Sequence, residues 1–335
     1  MVMLSVKQNA SDLHLSAGHS PMLRINGRLQ PLALAQVNHQ QLQQLSEQIL
    51  DASALSLLAR EGQVDSAWTA ADGIRLRVNF FQQCRGLSVV MRIVAQHCPS
   101  LAQLHAPACL EQMLVQQEGL ILVTGATGSG KSTTLAAMIG YLNQHQHRHI
   151  ITLEDPIEII HHSAGCLIQQ RELGTHTSDF ALAVRGALRE DPDVLLLGEL
   201  RDAASIALAL TAAETGHLVL ATLHTRNATQ AIERIVDVFP AAEKSFVRSQ
   251  LAGSLCAVVA QRLVLSCSGG RIALFEVLLP NSAVCNLIRE GKTHQLADCL
   301  QTGAGQGMQT FAQSRQQRID EGMLPAVEHN HTAGL

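Results

Sequence analysis

The sequence predicts an α/β chain of two domains: a small N-terminal α/β domain, then a doubly wound phosphate-loop domain. Three observations carry this. The 335 residues are long for one core. From about Leu110 short apolar runs alternate with helix-forming stretches, the pattern of parallel strands joined by crossover helices. Between the run Leu120–Thr124 and the helix formers from Ser132 lies Gly125-Ala126-Thr127-Gly128-Ser129-Gly130-Lys131-Ser132, a full match to G-x-x-x-x-G-K-[ST].

Residues 1–97 read as the small domain. Ser11–Leu15 is strand-like, and Met22–Leu32 sets an Asn26-Gly27 turn between apolar-alternating arms, a hairpin signal. Gln40–Leu58 carries Leu42, Leu45, Ile49 and Leu50 at helical spacing and reads as one helix. Val64–Thr69 pairs with Ile74–Phe81 across Ala71-Asp72-Gly73. There Ile74, Leu76, Val78 and Phe80 alternate with Arg75, Arg77 and Asn79, so both arginines share one solvent-side face. Leu87–Val94 is a further strand and places Arg92 among apolar neighbours. Residues 98–109 are the predicted linker, overlapping the two-proline stretch His97–Pro107.

Residues 110–335 form the second predicted domain. Strands are expected at Leu120–Thr124, Ile150–Leu153, Val194–Leu197 and Leu218–Thr222, each apolar on both faces as central parallel strands are. Helices are expected near Ser132–Asn143, Ser178–Glu190, Ala203–Glu214 and Thr229–Asp237. After Pro240 a mostly helical tail follows. A hairpin, Gln261–Cys267 and Arg271–Leu279 around Ser268-Gly269-Gly270, interrupts it. His329–Leu335 reads as a frayed end.

Composition narrows the function classes. A net charge of −4 supplies no global field for nucleic acid, and one Trp, one Tyr and seven Phe make no base-stacking platform. No nucleic-acid partner is expected. No signal peptide opens the chain, and no apolar run approaches the ~20 residues of a membrane span. The eight cysteines include no C-x-x-C pair and read as reduced core thiols, so a soluble cytoplasmic protein is expected.

The glycine loop lets successive backbone N–H groups point inward at phosphate oxygens, and the following helix N-terminus adds partial positive charge. Lys131 supplies a full charge for the β- and γ-phosphates, and Ser132, followed by Thr133, offers its hydroxyl to Mg²⁺. Such a loop binds a nucleoside triphosphate. Hydrolysis also needs a carboxylate to orient water. Glu199 ends the apolar strand after Asp191-Pro-Asp-Val, where a side chain points into the ligand crevice, or else it pairs with Arg201 or Arg189. Glu154-Asp155-Pro156-Ile157-Glu158 closes another strand, and its three carboxylates repel one another unless some face a cation or an arginine. His217 and His224 bracket a further strand, with His224 at the ligand edge. His145, His147 and His149 have no cysteine or carboxylate partner and read as polar loop positions.

Together these residues resemble the secretion and pilus motor ATPases, most closely the type IV pilus retraction ATPases of the PilT kind. The resemblance runs through Ala10-Ser-Asp-Leu-His-Leu-Ser16, the Walker A loop and the acidic box Ile151–His161. It continues through Ala187–Asp202, with glutamate following glycine as the Walker B, and the histidine box Thr211–Thr225. It implies a PAS-like N-terminal domain, a RecA-like ATPase domain with C-terminal helices, ATP and Mg²⁺ as cofactors, and a homohexamer. Glu158 would match the acidic-box catalytic glutamate, Glu199 the Walker B glutamate and His224 the γ-phosphate-sensing histidine. Arg75, Arg77 and Arg92 would approach the nucleotide phosphates, because no arginine finger is evident in the strand-end loops of the ATPase domain. An inner-membrane pilus platform protein would be the partner, with the motor peripheral to that membrane.

The absence of C-x-x-C and of a long segment before the small domain favours a retraction-type motor. Ala283-Val-Cys-Asn-Leu-Ile-Arg-Glu290 departs from the family's A-I-R-N-L-I-R-E by carrying Cys285 for arginine. Alternatives at this point are a related motor for conjugation or DNA-uptake machinery, a nucleotide-binding regulator without strong turnover, and a nucleic-acid translocase.

Overall fold

The computed structural model describes residues 1–8, 10–25, 27–70, 73–94 and 98–326. The chain divides into two units, Met1–His97 and Cys98–Leu335. The predicted turn residues Asn26, Ala71 and Asp72 and the predicted frayed end His329–Leu335 lie outside the described residues.

In the first unit a short helix, α1 (Val2–Lys7), precedes β1 (Asp12–Ser16), β2 (Met22–Ile25) and β3 (Arg28–Pro31). Two helices, α2 (His39–Ile49) and α3 (Ala52–Glu61), lead to β4 (Gln63–Thr69), β5 (Arg75–Gln83) and β6 (Gly86–Ile93). The predicted single helix over Gln40–Leu58 is therefore two. Leu50 turns extended, and the Asp51 carboxylate accepts the Ala54 N–H at 2.8 Å, capping a new helix start. The strands form one antiparallel sheet in the order β3-β2-β1-β6-β5-β4. Leu13, Leu15, Leu76, Val78, Phe80 and Met91 bury on one face with Leu42 and Leu58 of the helices. On the other face the register aligns Arg24, Asp12, Arg92 and Arg77 across four neighbouring strands.

The second unit runs α4 (Cys109–Leu114), β7 (Gly119–Thr124), α5 (Lys131–His145), β8 (His149–Glu154) and β9 (Leu167–Glu172). It continues α6 (Phe180–Ala187), β10 (Val194–Glu199), α7 (Ala203–Glu214), β11 (Leu218–Leu223), α8 (Ala228–Asp237) and α9 (Lys244–Ser254). Then come β12 (Leu255–Leu265), β13 (Arg271–Leu278), α10 (Ser282–Glu290), α11 (Leu296–Thr302) and α12 (Phe311–Asp320). The mixed sheet has the order β13-β12-β7-β11-β10-β8-β9, parallel throughout except for β13.

The structure departs from expectation in several places. β9 is a polar edge strand, Leu-Ile-Gln-Gln-Arg-Glu, with none of the apolar signal that marks its neighbours. The hairpin assigned to the tail is part of the central sheet, because β12 starts at Leu255 and pairs in parallel with β7. Leu101, within the predicted linker, is buried in this unit's core. The eight cysteines are unpaired; Cys166 is buried, whereas Cys84 and Cys267 are exposed and are not core thiols. Among the described residues no helix is long and apolar enough to cross a membrane.

Candidate functional site

The loop from β7 to α5 takes its shape from positive φ at Gly125 (152°), Gly128 (76°) and Gly130 (91°). A Cβ at Gly125 would lie 2.5 Å from the Gln261 carbonyl oxygen, and one at Gly130 would lie 2.8 Å from Gln261 Nε2. Gln261, on β12, also accepts a 2.7 Å hydrogen bond from Thr134 Oγ1, so β12 is what seats this loop. Helix α5 begins at Lys131, leaving the N–H groups of its first turn without intrahelical partners. Lys131 is 8% exposed, and its Nζ donates to the carbonyls of Gly125 at 2.7 Å and Ala126 at 3.2 Å. Burial lowers its pKa, and the charges of Glu199 and Glu158 oppose that shift, so both carboxylates lie in its field.

A cleft of about 470 Å³ opens beside the loop. Thr127, Gly128, Gly130, Lys131, Ser132 and Thr133 line it from the loop and α5, Glu158 from the segment after β8, and Glu199 and His224 from the ends of β10 and β11. The parallel strands put all these ends on one edge. Ala126 and Ser129 line an adjoining cavity of about 360 Å³, and Gly125 sits where β7 enters the loop.

Glu199 has the ion pair that its position beside Arg201 suggested. Its Oε2 accepts from Arg201 Nε and Nη2, each at 2.8 Å, and lies 3.3 Å from His224 Nε2. The hydrogen bond and charge of Glu199 raise the Arg201 pKa further. The three carboxylates of the acidic segment all line the cleft but take different partners. Glu154 turns inward, where burial raises its pKa, and its Oε1 accepts from Thr152 Oγ1 at 2.6 Å and Gln170 Nε2 at 3.0 Å. Asp155 lies 3.5 Å from Arg201, and Glu158 faces the cleft. His217 lies at the opposite end of β11 and outside the cleft lining. Its Nδ1 is 3.1 Å from the Ala212 carbonyl. His145, His147 and His149 are each within hydrogen-bond reach of a backbone carbonyl.

Two contributors carry no sequence mark. Arg271, at the start of β13, lines both the cleft and the adjoining cavity. With Arg201 beside Glu199, it places two arginines of this domain near the strand ends. The misplaced hairpin hid it. His161 also lines the cleft, and burial pushes its pKa down to about 4, so it is neutral near pH 7. Glu154 is legible only as one of three adjacent acids. In the N-terminal unit, Arg75 and Arg77 lie two residues apart on β5. Arg92 Nε donates to Asp12 at 2.9 Å, and Asp12 is itself 4% exposed. Burial would raise the Asp12 carboxyl, but hydrogen bonds from Ser11 and Arg92 and the Arg92 charge hold it below its usual value.

Comparison with known proteins gives concordant findings. Residues 1–329 match the profile of the family described as Type II/IV secretion system protein. The uncharacterized protein YggR of Escherichia coli (strain K12) is 56% identical over 324 residues, covering 97% of this chain and 98% of that protein. The type IV pilus retraction ATPase PilT of Pseudomonas aeruginosa (strain PAO1) is 44% identical over 324 residues, covering 97% and 94%. A crystal structure of the pilus retraction motor PilT with bound ADP matches with a TM-score of 0.90 and 39% identity, covering 97% of this chain and 93% of that one.

Proposed function

This chain belongs to the type II/IV secretion system protein family, among the type IV pilus retraction ATPases, and from that premise we propose a homohexameric motor driven by Mg²⁺-dependent ATP hydrolysis. One observation carries the reading: a phosphate loop with its lysine and serine shares a cleft with Glu158, Glu199 and His224. The loop N–H groups and Lys131 hold the phosphates, Lys131 exchanging its two carbonyl partners for phosphate oxygens. Gly125 to Thr133 form the nucleotide-binding segment.

The donor set suits Mg²⁺: a Ser132 hydroxyl beside two carboxylates. Among the described residues no group of three or more His, Cys, Asp or Glu side chains stands ready to hold a metal by itself, as fits an ion that takes further ligands from phosphates. Bound there, Mg²⁺ would neutralise charge on the phosphate oxygens. Glu158 and Glu199 orient and deprotonate the attacking water. His224, 3.3 Å from Glu199, couples that carboxylate to the occupancy of the γ-phosphate position.

In this reading the N-terminal unit, residues 1–97, is a PAS-like domain, residues 98–109 are the linker, and residues 110–335 are a RecA-like ATPase domain with C-terminal helices. The small domain of one subunit packs on the ATPase domain of its neighbour. Closure brings at least one of Arg75, Arg77 and Arg92 toward the nucleotide. The work is done on an inner-membrane pilus platform protein, from the cytoplasmic side.

The test is steady-state hydrolysis with and without Mg²⁺, together with mass by light scattering in the presence of nucleotide. Lys131→Ala should lower nucleotide affinity and cut turnover on the order of 10²-fold, the scale of losing one donor to developing phosphoryl charge. Unchanged turnover in Lys131→Ala overturns the ATPase assignment. A strict monomer whose specific activity survives dilution overturns the ring while leaving nucleotide binding intact.

A further inference from the structure

Glu158 sits in the segment after β8, and such connecting segments are usually the mobile parts of a fold. A water-orienting carboxylate cannot be mobile, since a displacement of about 1 Å costs on the order of 10²-fold in rate. Something must hold the segment, and the polar edge strand β9 carries the groups that do.

The Gln170 side chain makes three hydrogen bonds that straddle position 158. Its Nε2 donates to Glu154 Oε1 at 3.0 Å and to the Ile159 carbonyl at 2.9 Å, and its Oε1 accepts the His161 N–H at 2.8 Å. Glu154 in turn accepts the backbone N–H of Glu158. Two residues along the same strand, Glu172 is 7% exposed and accepts the Ile157 N–H at 3.1 Å. The register pairs Thr152 with Gln170 and Glu154 with Glu172, so both β9 side chains stand beside the point where the segment leaves β8. Backbone groups at 157, 159 and 161 are thus tied to two side chains of one strand, and 158 lies between them.

We propose that Gln170 is a positioning residue for the hydrolytic carboxylate: its amide fixes the acidic segment so that Glu158 faces the nucleotide phosphates. Only an amide meets the requirement, because it must donate to a carboxylate and a carbonyl while accepting from an N–H. A glutamate at 170 would set oxygen against oxygen at both Glu154 and the Ile159 carbonyl. A methionine would fill the volume and make none of the bonds. The inference rests on the reading of Glu158 given above.

The experiment uses the full chain and three single variants, Gln170→Met, Gln170→Glu and Glu158→Gln, with the double variant Gln170→Met/Glu158→Gln. Steady-state kinetics gives kcat and KM, binding of a non-hydrolysable ATP analogue gives affinity, and thermal melting identifies the folded variants. Both Gln170 variants should lose about ten- to a hundredfold in kcat, with KM and analogue affinity within about threefold. Gln170→Met should cost nothing further in the Glu158→Gln background. Wild-type kcat in a folded Gln170 variant, or a full additional loss in the double variant, overturns the proposal. Should Gln170→Met not fold, the kcat of Gln170→Glu decides in the same way. Failure of the underlying reading is separately visible as wild-type turnover in Glu158→Gln.

Discussion

In the seven-stranded sheet, β7 and β11 bury every one of their residues, whereas β5 of the six-stranded sheet buries Leu76, Val78 and Phe80 and leaves Arg75, Arg77 and Asn79 outside. A strand covered on both faces can present chemistry only at its ends. A strand covered on one face can present it along its length. Glu199, His224 and the segment carrying Glu158 accordingly crowd one edge of the parallel sheet, while the charges of the antiparallel sheet form the row Arg24, Asp12, Arg92 and Arg77 across a face. Edge groups converge on one small volume, and face groups spread over a surface that suits a partner.

The largest effects should therefore come from the edge. Glu199→Gln and Glu158→Gln should each keep ATP affinity within a few-fold and lower hydrolysis on the order of 10²-fold or more, the scale of losing a general base. Single-turnover hydrolysis beside nucleotide titration separates the two quantities. A variant that hydrolyses ATP at the wild-type rate marks its residue as a structural acid.

The face should respond less. At least one of Arg75→Ala, Arg77→Ala and Arg92→Ala should lower turnover by about ten- to a hundredfold, the loss of one charge-assisted contact. Three variants at full rate would sever the face from the chemistry and leave the edge untouched.

The last effect is on stability, a pH dependence at the edge. His161 has a folded pKa of about 4 against an ordinary 6.5, so the folded state binds its proton less readily than the unfolded chain does. Its contribution is complete above about pH 6.5 and is lost as pH falls toward 4. His161→Asn should reduce the acid-side fall in the melting temperature of the C-terminal unit by roughly 6–12 °C, since the gap between 6.5 and about 4 corresponds to about 3 kcal/mol. Identical melting curves from pH 7 to about pH 4 would show that His161 titrates normally.

The same contrast explains what the sequence discloses. Leu120–Thr124, Val194–Leu197 and Leu218–Thr222 are legible as strands because burial on both faces demands uninterrupted apolar runs. The edge residues that follow such runs are legible with them, as Glu199 and His224 were. Strand β9 is not, since it sits at the sheet edge and its burial is broken along its length. Gln170 is hidden with it. The Leu-Cys-Ala-Val-Val-Ala start of β12 follows a helix without punctuation, and a short apolar run does not separate strand from helix by periodicity. That displaced Gln261 and Arg271 from the site. In the small domain Asp51 falls inside the span Gln40–Leu58 whose apolar spacing reads as one helix, and that spacing does not show that its carboxylate caps a second one.

The seating of the phosphate loop on Gln261 has a consequence for how this sequence can vary. At position 125 the obstacles to a side chain are the Ser129 hydroxyl and the backbone carbonyl of residue 261, and no replacement of Gln261 removes the latter. At position 130 the obstacle is the Gln261 amide itself, which a smaller residue would clear, yet the positive φ there still disfavours anything but glycine. Shortening Gln261 would also take the acceptor from Thr134 Oγ1 inside α5. Positions 134 and 261 are thus a single heritable unit split between two distant stretches of the chain, whereas 125 and 130 stay glycine whatever stands at 261. Relatives should be aligned and recombined with that unit kept whole.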